Sequence, residues 1–227
     1  LDLEAEKEFG KLYAVHRIDK DTSGLILYAR TPEAQRNLSI QFEKHTVKKE
    51  YHALVNGHPL WKKLHVDSPL LPDGDSKHRT VVNKKLGKKS ITDFYVAGNC
   101  GPYSWVIALP LTGRTHQIRA HLADKGFSIV CDPLYGANTK PVRLSEFKKK
   151  WKGDEFEERP LLNRLALHAY KIEFSHPESK KRVSFSAPYP KDMEAVRFQL
   201  QKIFGVDPLA FNEDSIYLPQ EENYSSS

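Results

Sequence analysis

No uninterrupted apolar run in these 227 residues exceeds five, and one such run is Leu25 to Ala29. A helix that crosses a bilayer needs about 20 consecutive apolar residues. The chain therefore has to bury its hydrophobic side chains in short elements packed against one another. Leu25 to Ala29 itself is short enough for a buried strand. Thr31-Pro32-Glu33 then opens a helix, because Thr can cap free amides, Pro fits the first turn and Glu favours the positive end. Ala34, Leu38 and Phe42 recur at i, i+4, i+8 and give that helix its inward face. Tyr51, Ala53 and Val55 alternate with His52, Leu54 and Asn56, which predicts a strand over 49–56. Residues 57–89 are rich in Pro, Gly, Lys and Asp and predict loops with short strands, with Lys84 to Lys89 as an exposed turn.

Further along, strands over 90–97 and 103–109 flank Gly98-Asn99-Cys100-Gly101-Pro102, a hairpin connection. Thr112-Gly113-Arg114-Thr115 opens a helix with Thr115 as its cap, Ile118 and Leu122 facing inward and Gly126 at its end. A polar, basic insertion fills 139–159, two strands lie over 166–174 and 182–187, and an amphipathic helix covers 192–204. The first fifteen residues read as peripheral. There is no internal repeat and no linker, so one domain of mixed α and β structure accounts for the pattern.

Charge and cysteine narrow the function classes. Lys and Arg number 35 against 29 Asp and Glu, a net charge of +6. Five of those acids (Asp207, Glu213, Asp214, Glu221 and Glu222) lie in 207–227, which holds no Lys or Arg, so residues 1–206 carry +11. A body that basic suits a polyanionic partner. The segment 207–227 reads as an acidic, partly disordered tail. Cys100 and Cys131 are the two cysteines, too few for a disulfide scaffold and consistent with a reducing compartment. Leu1 to Phe9 is acidic and does not read as a secretory signal, so the expected location is cytoplasmic, with no membrane partner.

Two clusters carry the chemistry. His16 to Gly24 packs an imidazole, a guanidinium, two carboxylates and two hydroxyls ahead of the apolar run. Such residues often only satisfy loop backbone. The sharper reading is a catalytic carboxylate, Asp19, with cationic neighbours that favour its ionised form. In Gly113 to Leu122, Arg119 lies three residues from His116 and four from Thr115, so on a helix these groups share one polar face. That face is either solvated or a charged partner held rigidly toward a pocket. His116 and His121 are five apart and do not form an i, i+4 metal pair. The chain has no His-Glu-x-x-His, no Cys-x-x-Cys, no Gly-x-x-x-x-Gly-Lys and no Gly-x-Ser-x-Gly, so neither metal nor nucleotide cofactor is expected.

Several segments together resemble one family. His16-Arg17-Ile18-Asp19-Lys20-Asp21-Thr22-Ser23-Gly24-Leu25 is similar to the opening signature of the RluA-type RNA pseudouridine synthases. Lys49-x-Tyr51-x-Ala53-x-Val55 resembles that family's second motif, and Leu111 to Leu122 its third. Asp132-Pro133-Leu134-Tyr135-Gly136 and Leu167-His168-Ala169 follow in the family's order. The family has a strand pair and a Lys-Pro-x-Gly turn before its signature, so the chain reads as an N-terminally shortened catalytic domain over 1–206. Cys131 stands where the family commonly has Gly.

The resemblance implies an α+β pseudouridine synthase fold, a mixed, largely antiparallel sheet flanked by helices. It also implies that uridine in ribosomal or transfer RNA becomes pseudouridine without a cofactor. Asp19 is then the essential carboxylate, Arg119 its cationic partner, and Tyr51 the ring against the uracil face. Leu167 forms an apolar wall beneath the base and Arg17 a wedge in the RNA stack. His16 and Thr22 complete the substrate-binding set by shaping the loop around Asp19. The target base has to leave its helix, at a cost of a few kcal/mol. Lys48, Lys49, Lys62, Lys63, Lys84, Lys85, Lys88 and Lys89 are possible phosphate contacts, each also readable as a solvated charge. Nothing requires a protein partner or more than a monomer. The competing readings are a catalytically inactive RNA-binding protein of the same fold and, on scattered His and Asp alone, a metal-dependent nuclease.

Overall fold

Strand-forming segments dominate the computed structural model, which describes residues 2–136, 139–154 and 156–209. The strands are β1 (Tyr13–Ala14), β2 (Ser23–Gly24), β3 (Tyr28–Ala29), β4 (Lys48–Asn56), β5 (Lys63–Asp67) and β6 (Leu70–Leu71). They continue as β7 (Val81–Val82), β8 (Ile91–Cys100), β9 (Tyr103–Pro110), β10 (Leu167–Ser175) and β11 (Arg182–Ser186). The helices are α1 (Asp2–Phe9), α2 (Pro32–Glu43), α3 (Gln117–Asp124) and α4 (Lys191–Phe204). One seven-stranded sheet runs in the order β11-β10-β4-β9-β8-β5, with β2 added parallel to β10. Every other pairing in it is antiparallel. The expected α+β architecture with a mixed, largely antiparallel sheet is the one found.

Local chemistry explains most boundaries. The Thr31 hydroxyl accepts the Ala34 amide at 3.1 Å and Pro32 sits in the first turn, so α2 starts where its capping residues are. Leu38 of α2 is buried with Ala29, Val47, Ile172 and Phe174 in a small core. The main core lies on both faces of the sheet around Leu54, Val55, Phe94, Trp105 and Val106, none more than 2% exposed. In β4 the alternation breaks down: His52 to Val55 are all buried because a central strand is covered on both sides.

Four expectations need correction. Of the run Leu25 to Ala29, only Tyr28–Ala29 is a strand, paired with β1, and Leu25 to Leu27 stay partly exposed. β8 runs on to Cys100, absorbs an irregularity at Ala97, and leaves Gly101-Pro102 as the turn. α3 starts at Gln117 rather than beside Thr115, because His116 takes a left-handed conformation with φ 52° and no side chain caps the helix. Finally, α1 is a helix that the sequence pattern did not suggest. Within the insertion, a 3₁₀ turn, Leu144–Glu146, is held to the body by Val142 pairing with Leu162. Asp207, at the start of the acidic segment, bonds Arg197 at 2.6 and 3.0 Å, and positions 210–227 lie outside the described residues.

Candidate active site

Three strands bring the opening signature to its neighbours. Gly24 pairs with Ala169 on one side of β10, and Ala169 pairs with Tyr51 on the other. Gly24 is required here: its φ is +102°, and a Cβ would lie 2.2 Å from the Ala169 carbonyl oxygen. Ser23 fixes the same junction. Its hydroxyl meets His168 Nδ1 at 3.0 Å and receives Arg164 Nη1 at 3.2 Å. Leu167 pairs with Ala53, two residues from Tyr51, so Leu167 and Tyr51 share a face diagonally.

Asp19 sits in the loop between β1 and β2, where the Thr22 amide donates to the Asp19 carbonyl at 3.0 Å and closes a tight turn. Its carboxylate Oδ2 receives Arg119 Nη1 at 3.2 Å, a contact across 100 positions of sequence. Arg119 is 4% exposed, so the solvated-face reading of its helix is wrong, and Thr115 and His116 precede that helix rather than share its face. The guanidinium is held from behind by Asp132, with Nε to Oδ2 at 2.9 Å and Nη2 to Oδ1 at 2.8 Å. Asp132 is fully buried and also accepts the amides of Leu134 and Tyr135. The Tyr135 ring lies 5.1 Å from the Arg119 guanidinium carbon. Burial opposes both charges of this pair. The mutual hydrogen bonds win, raising the Arg119 pKa and holding Asp132 below the usual carboxylate range.

Beside Asp19 and Arg119 lies a cavity of about 460 Å³, and every site residue named from the sequence lines it: Arg17, Asp19, Thr22, Tyr51, Arg119 and Leu167, with His16 at one wall. Arg17 is exposed at the surface and Thr22 is buried. Tyr51 points inward from β4, and burial, then the Asp19 charge, pushes its phenol up to about 12. It stays protonated at neutral pH. The His16 ring stacks on Phe42 at 4.8 Å and its Nε2 accepts the Leu27 amide at 2.9 Å. Burial, then Lys49, pulls its pKa down to about 4, so it is a neutral acceptor that ties the loop down.

Other residues at the site were not singled out from the sequence. Gln117, 4% exposed, accepts from the Thr112 hydroxyl at 2.7 Å and the Arg114 amide at 3.0 Å. It donates to the Ile91 carbonyl at 2.9 Å and so pins the 112–117 turn to β8. The visible signal for Asp132 and Tyr135 was their motif, which preserved an order without showing a contact. Cys131 has φ 57°, a left-handed geometry that glycine adopts without strain, which accounts for the residue type the resemblance led one to expect there. His121 is remote from the cavity; it is a core histidine bonded to Thr92 and the Ser68 carbonyl. Among the described residues, no group of three or more His, Cys, Asp or Glu is placed to hold a metal.

Comparison with known proteins points to one family. The family model for RNA pseudouridylate synthase matches residues 1–124. Ribosomal large subunit pseudouridine synthase D of Zymomonas mobilis is 36% identical over 181 residues, covering 79% of this chain and 53% of that protein. Ribosomal large subunit pseudouridine synthase C of Vibrio cholerae is 38% identical over 183 residues, covering 81% and 53%. This chain thus spans about half the length of the curated relatives it matches. The solved structure of human RNA pseudouridylate synthase domain containing 1 superposes with a TM-score of 0.65 at 26% identity, covering 82% of this chain and 73% of that one.

Proposed function

The chain belongs to the RNA pseudouridylate synthase family, and from that premise we propose that it isomerises uridine to pseudouridine in ribosomal RNA. The observation that carries the reading is the 3.2 Å contact between Asp19 and a buried Arg119 at the wall of a cavity that Tyr51 also lines. In the reaction the N1–C1′ bond breaks, the base turns, and a C5–C1′ bond forms. The proton lost from C5 is balanced by the one gained at N1. Asp19 acts ionised, whether it attacks C1′, attacks the base, or takes a sugar proton. Arg119 aims it, and Asp132 holds Arg119 in place. Tyr51 offers a flat ring to the detached base and a protonated hydroxyl that donates a hydrogen bond. Leu167 closes the apolar side, and Arg17 stands at the mouth where a displaced base would leave a gap in the stack.

The names of the relatives support ribosomal RNA as the substrate class. The proposed working unit is a monomer in the cytoplasm acting on structured RNA; among the described residues no helix is long and apolar enough to cross a membrane. The test is tritium release from unmodified ribosomal RNA labelled at uridine C5. It is paired with mapping of pseudouridine in ribosomal and transfer RNA from cells with and without the gene. Release by the native chain, together with sites that vanish with the gene, supports the proposal. RNA binding without release would instead favour the inactive RNA-binding reading.

A further inference from the structure

Lys49 does not behave as a surface lysine. It precedes Tyr51 by two positions on β4, so both side chains leave the strand on the same face, and both line the cavity. Its ammonium donates to the Thr112 carbonyl at 3.1 Å and lies 3.8 Å from where a Cβ on Gly113 would be. An ammonium has three hydrogens to donate, and this one contact uses one of them. Among the described residues, no carboxylate lies within ion-pair distance of it. Of the other cations lining the cavity, Arg17 is exposed at its mouth, whereas those deeper in are engaged or neutral. Arg119 is committed to Asp132 and Asp19. Arg114 donates outward to the Lys89 carbonyl at 3.1 Å, and His16 is neutral. Asp19 and Glu43 line the same cavity but neither pairs with Lys49, and a largely buried ammonium without a paired carboxylate suits an anion that arrives with the ligand.

We propose that the Lys49 ammonium seats a backbone phosphate of the nucleotide that enters the cavity. The inference rests on the reading that this nucleotide is a uridine of RNA, which brings a phosphate on each side of its sugar. Two strand positions separate Lys49 from Tyr51, about 6.5 Å, so a base held at Tyr51 and a phosphate held at Lys49 lie about one sugar apart. Burial pulls the Lys49 pKa down to about 8, consistent with a charge that lacks its counter-ion until ligand binds. Lys49 is thus a positioning residue: it anchors the nucleotide's backbone so that C1′ comes to rest beside Asp19.

The test uses uridine, uridine 3′,5′-bisphosphate and adenosine 3′,5′-bisphosphate as probes, titrated at low salt by calorimetry against the native chain, Lys49→Met and Lys49→Arg. The native chain should bind the uridine bisphosphate at least about tenfold tighter than uridine. Lys49→Met should cut that advantage to about twofold while leaving uridine affinity and the melting temperature unchanged, and Lys49→Arg should keep it. The proposal is overturned if the native chain shows no phosphate advantage, if Lys49→Met leaves the advantage intact, or if it weakens uridine and bisphosphate alike. Equal affinity for the adenosine and uridine bisphosphates would count against the uridine reading and leave the phosphate seat standing.

Discussion

Asp132 grips Arg119 with two hydrogen bonds, at 2.9 and 2.8 Å, and leaves Nη1 of the same guanidinium to Asp19 at 3.2 Å. The two carboxylates are not equivalent. Asp132 is fully buried and four times a hydrogen-bond acceptor, whereas Asp19 is 19% exposed on the cavity side. One holds the cation, and the other is held by it.

Removing the holder should therefore cost stability. Asp132→Asn leaves a nearly inaccessible guanidinium without its main counter-charge, a change that typically destabilises by about 3–5 kcal/mol. Urea unfolding of the variant should show a midpoint well below that of the native chain, and activity should fall with it. An unchanged midpoint would mean that Arg119 finds other partners.

Removing the held carboxylate should do the reverse. Asp19→Asn keeps the side-chain shape, so the unfolding midpoint should shift by no more than about 1 kcal/mol equivalent. Tritium release should drop by at least about a hundredfold, with RNA affinity little changed. Normal turnover by this variant would refute the assignment of Asp19.

For Tyr51→Phe the ring stays and the hydroxyl goes. Since that hydroxyl remains protonated up to about pH 12, it acts as a donor, and losing one hydrogen bond in the reaction should slow turnover by about tenfold. Affinity for RNA should change less than the rate. Equal loss in both would assign the hydroxyl to binding alone.

Acid should weaken the fold through its histidines. His16 binds a proton near pH 6.5 when unfolded but only near 4 when folded, and burial lowers His116, His121 and His168 in the same direction. Between these values the unfolded chain holds more protons, so stability falls as pH drops from 6.5 to about 4. For His16 the slope is about 1.4 kcal/mol per pH unit, and below its folded value the loss stops growing; the other three histidines act in the same direction. The Cε1 proton of His16 should show no NMR titration between pH 7 and 5.5; a midpoint near 6.5 would contradict the burial argument.

Gly24→Ala tests the junction itself. The added methyl meets the Ala169 carbonyl at 2.2 Å from a backbone at φ +102°. Backbone must move at that point, and a loss of about 2 kcal/mol or more is expected. Amide exchange at Leu25, whose N–H donates to the Ala169 carbonyl at 2.9 Å, should speed up with it.

What could be read from the chain follows from how local each cause is. The start of α2 was legible because Thr31, Pro32 and Ala34 are neighbours, and the β8–β9 hairpin because its turn residues are. The run from Leu25 was not, since its exposure depends on which strands arrive beside it. The start of α3 was not legible, because one left-handed residue, His116, delays the helix and leaves Thr115 and His116 ahead of it. Lys49 looked like one charge among many, because alternation in a strand does not say which side is wet. Asp132 was visible in a motif whose purpose depends on a partner thirteen positions earlier.

The parallel seam between β2 and β10 joins residues 145 positions apart, Ser23 and His168. A ribosome making this chain has released the entire opening signature long before the strand that anchors it exists. Until His168 has emerged, the loop that carries Asp19 lacks the strand that anchors it, so the nascent chain is expected to be catalytically silent even while most of its sheet is already assembled.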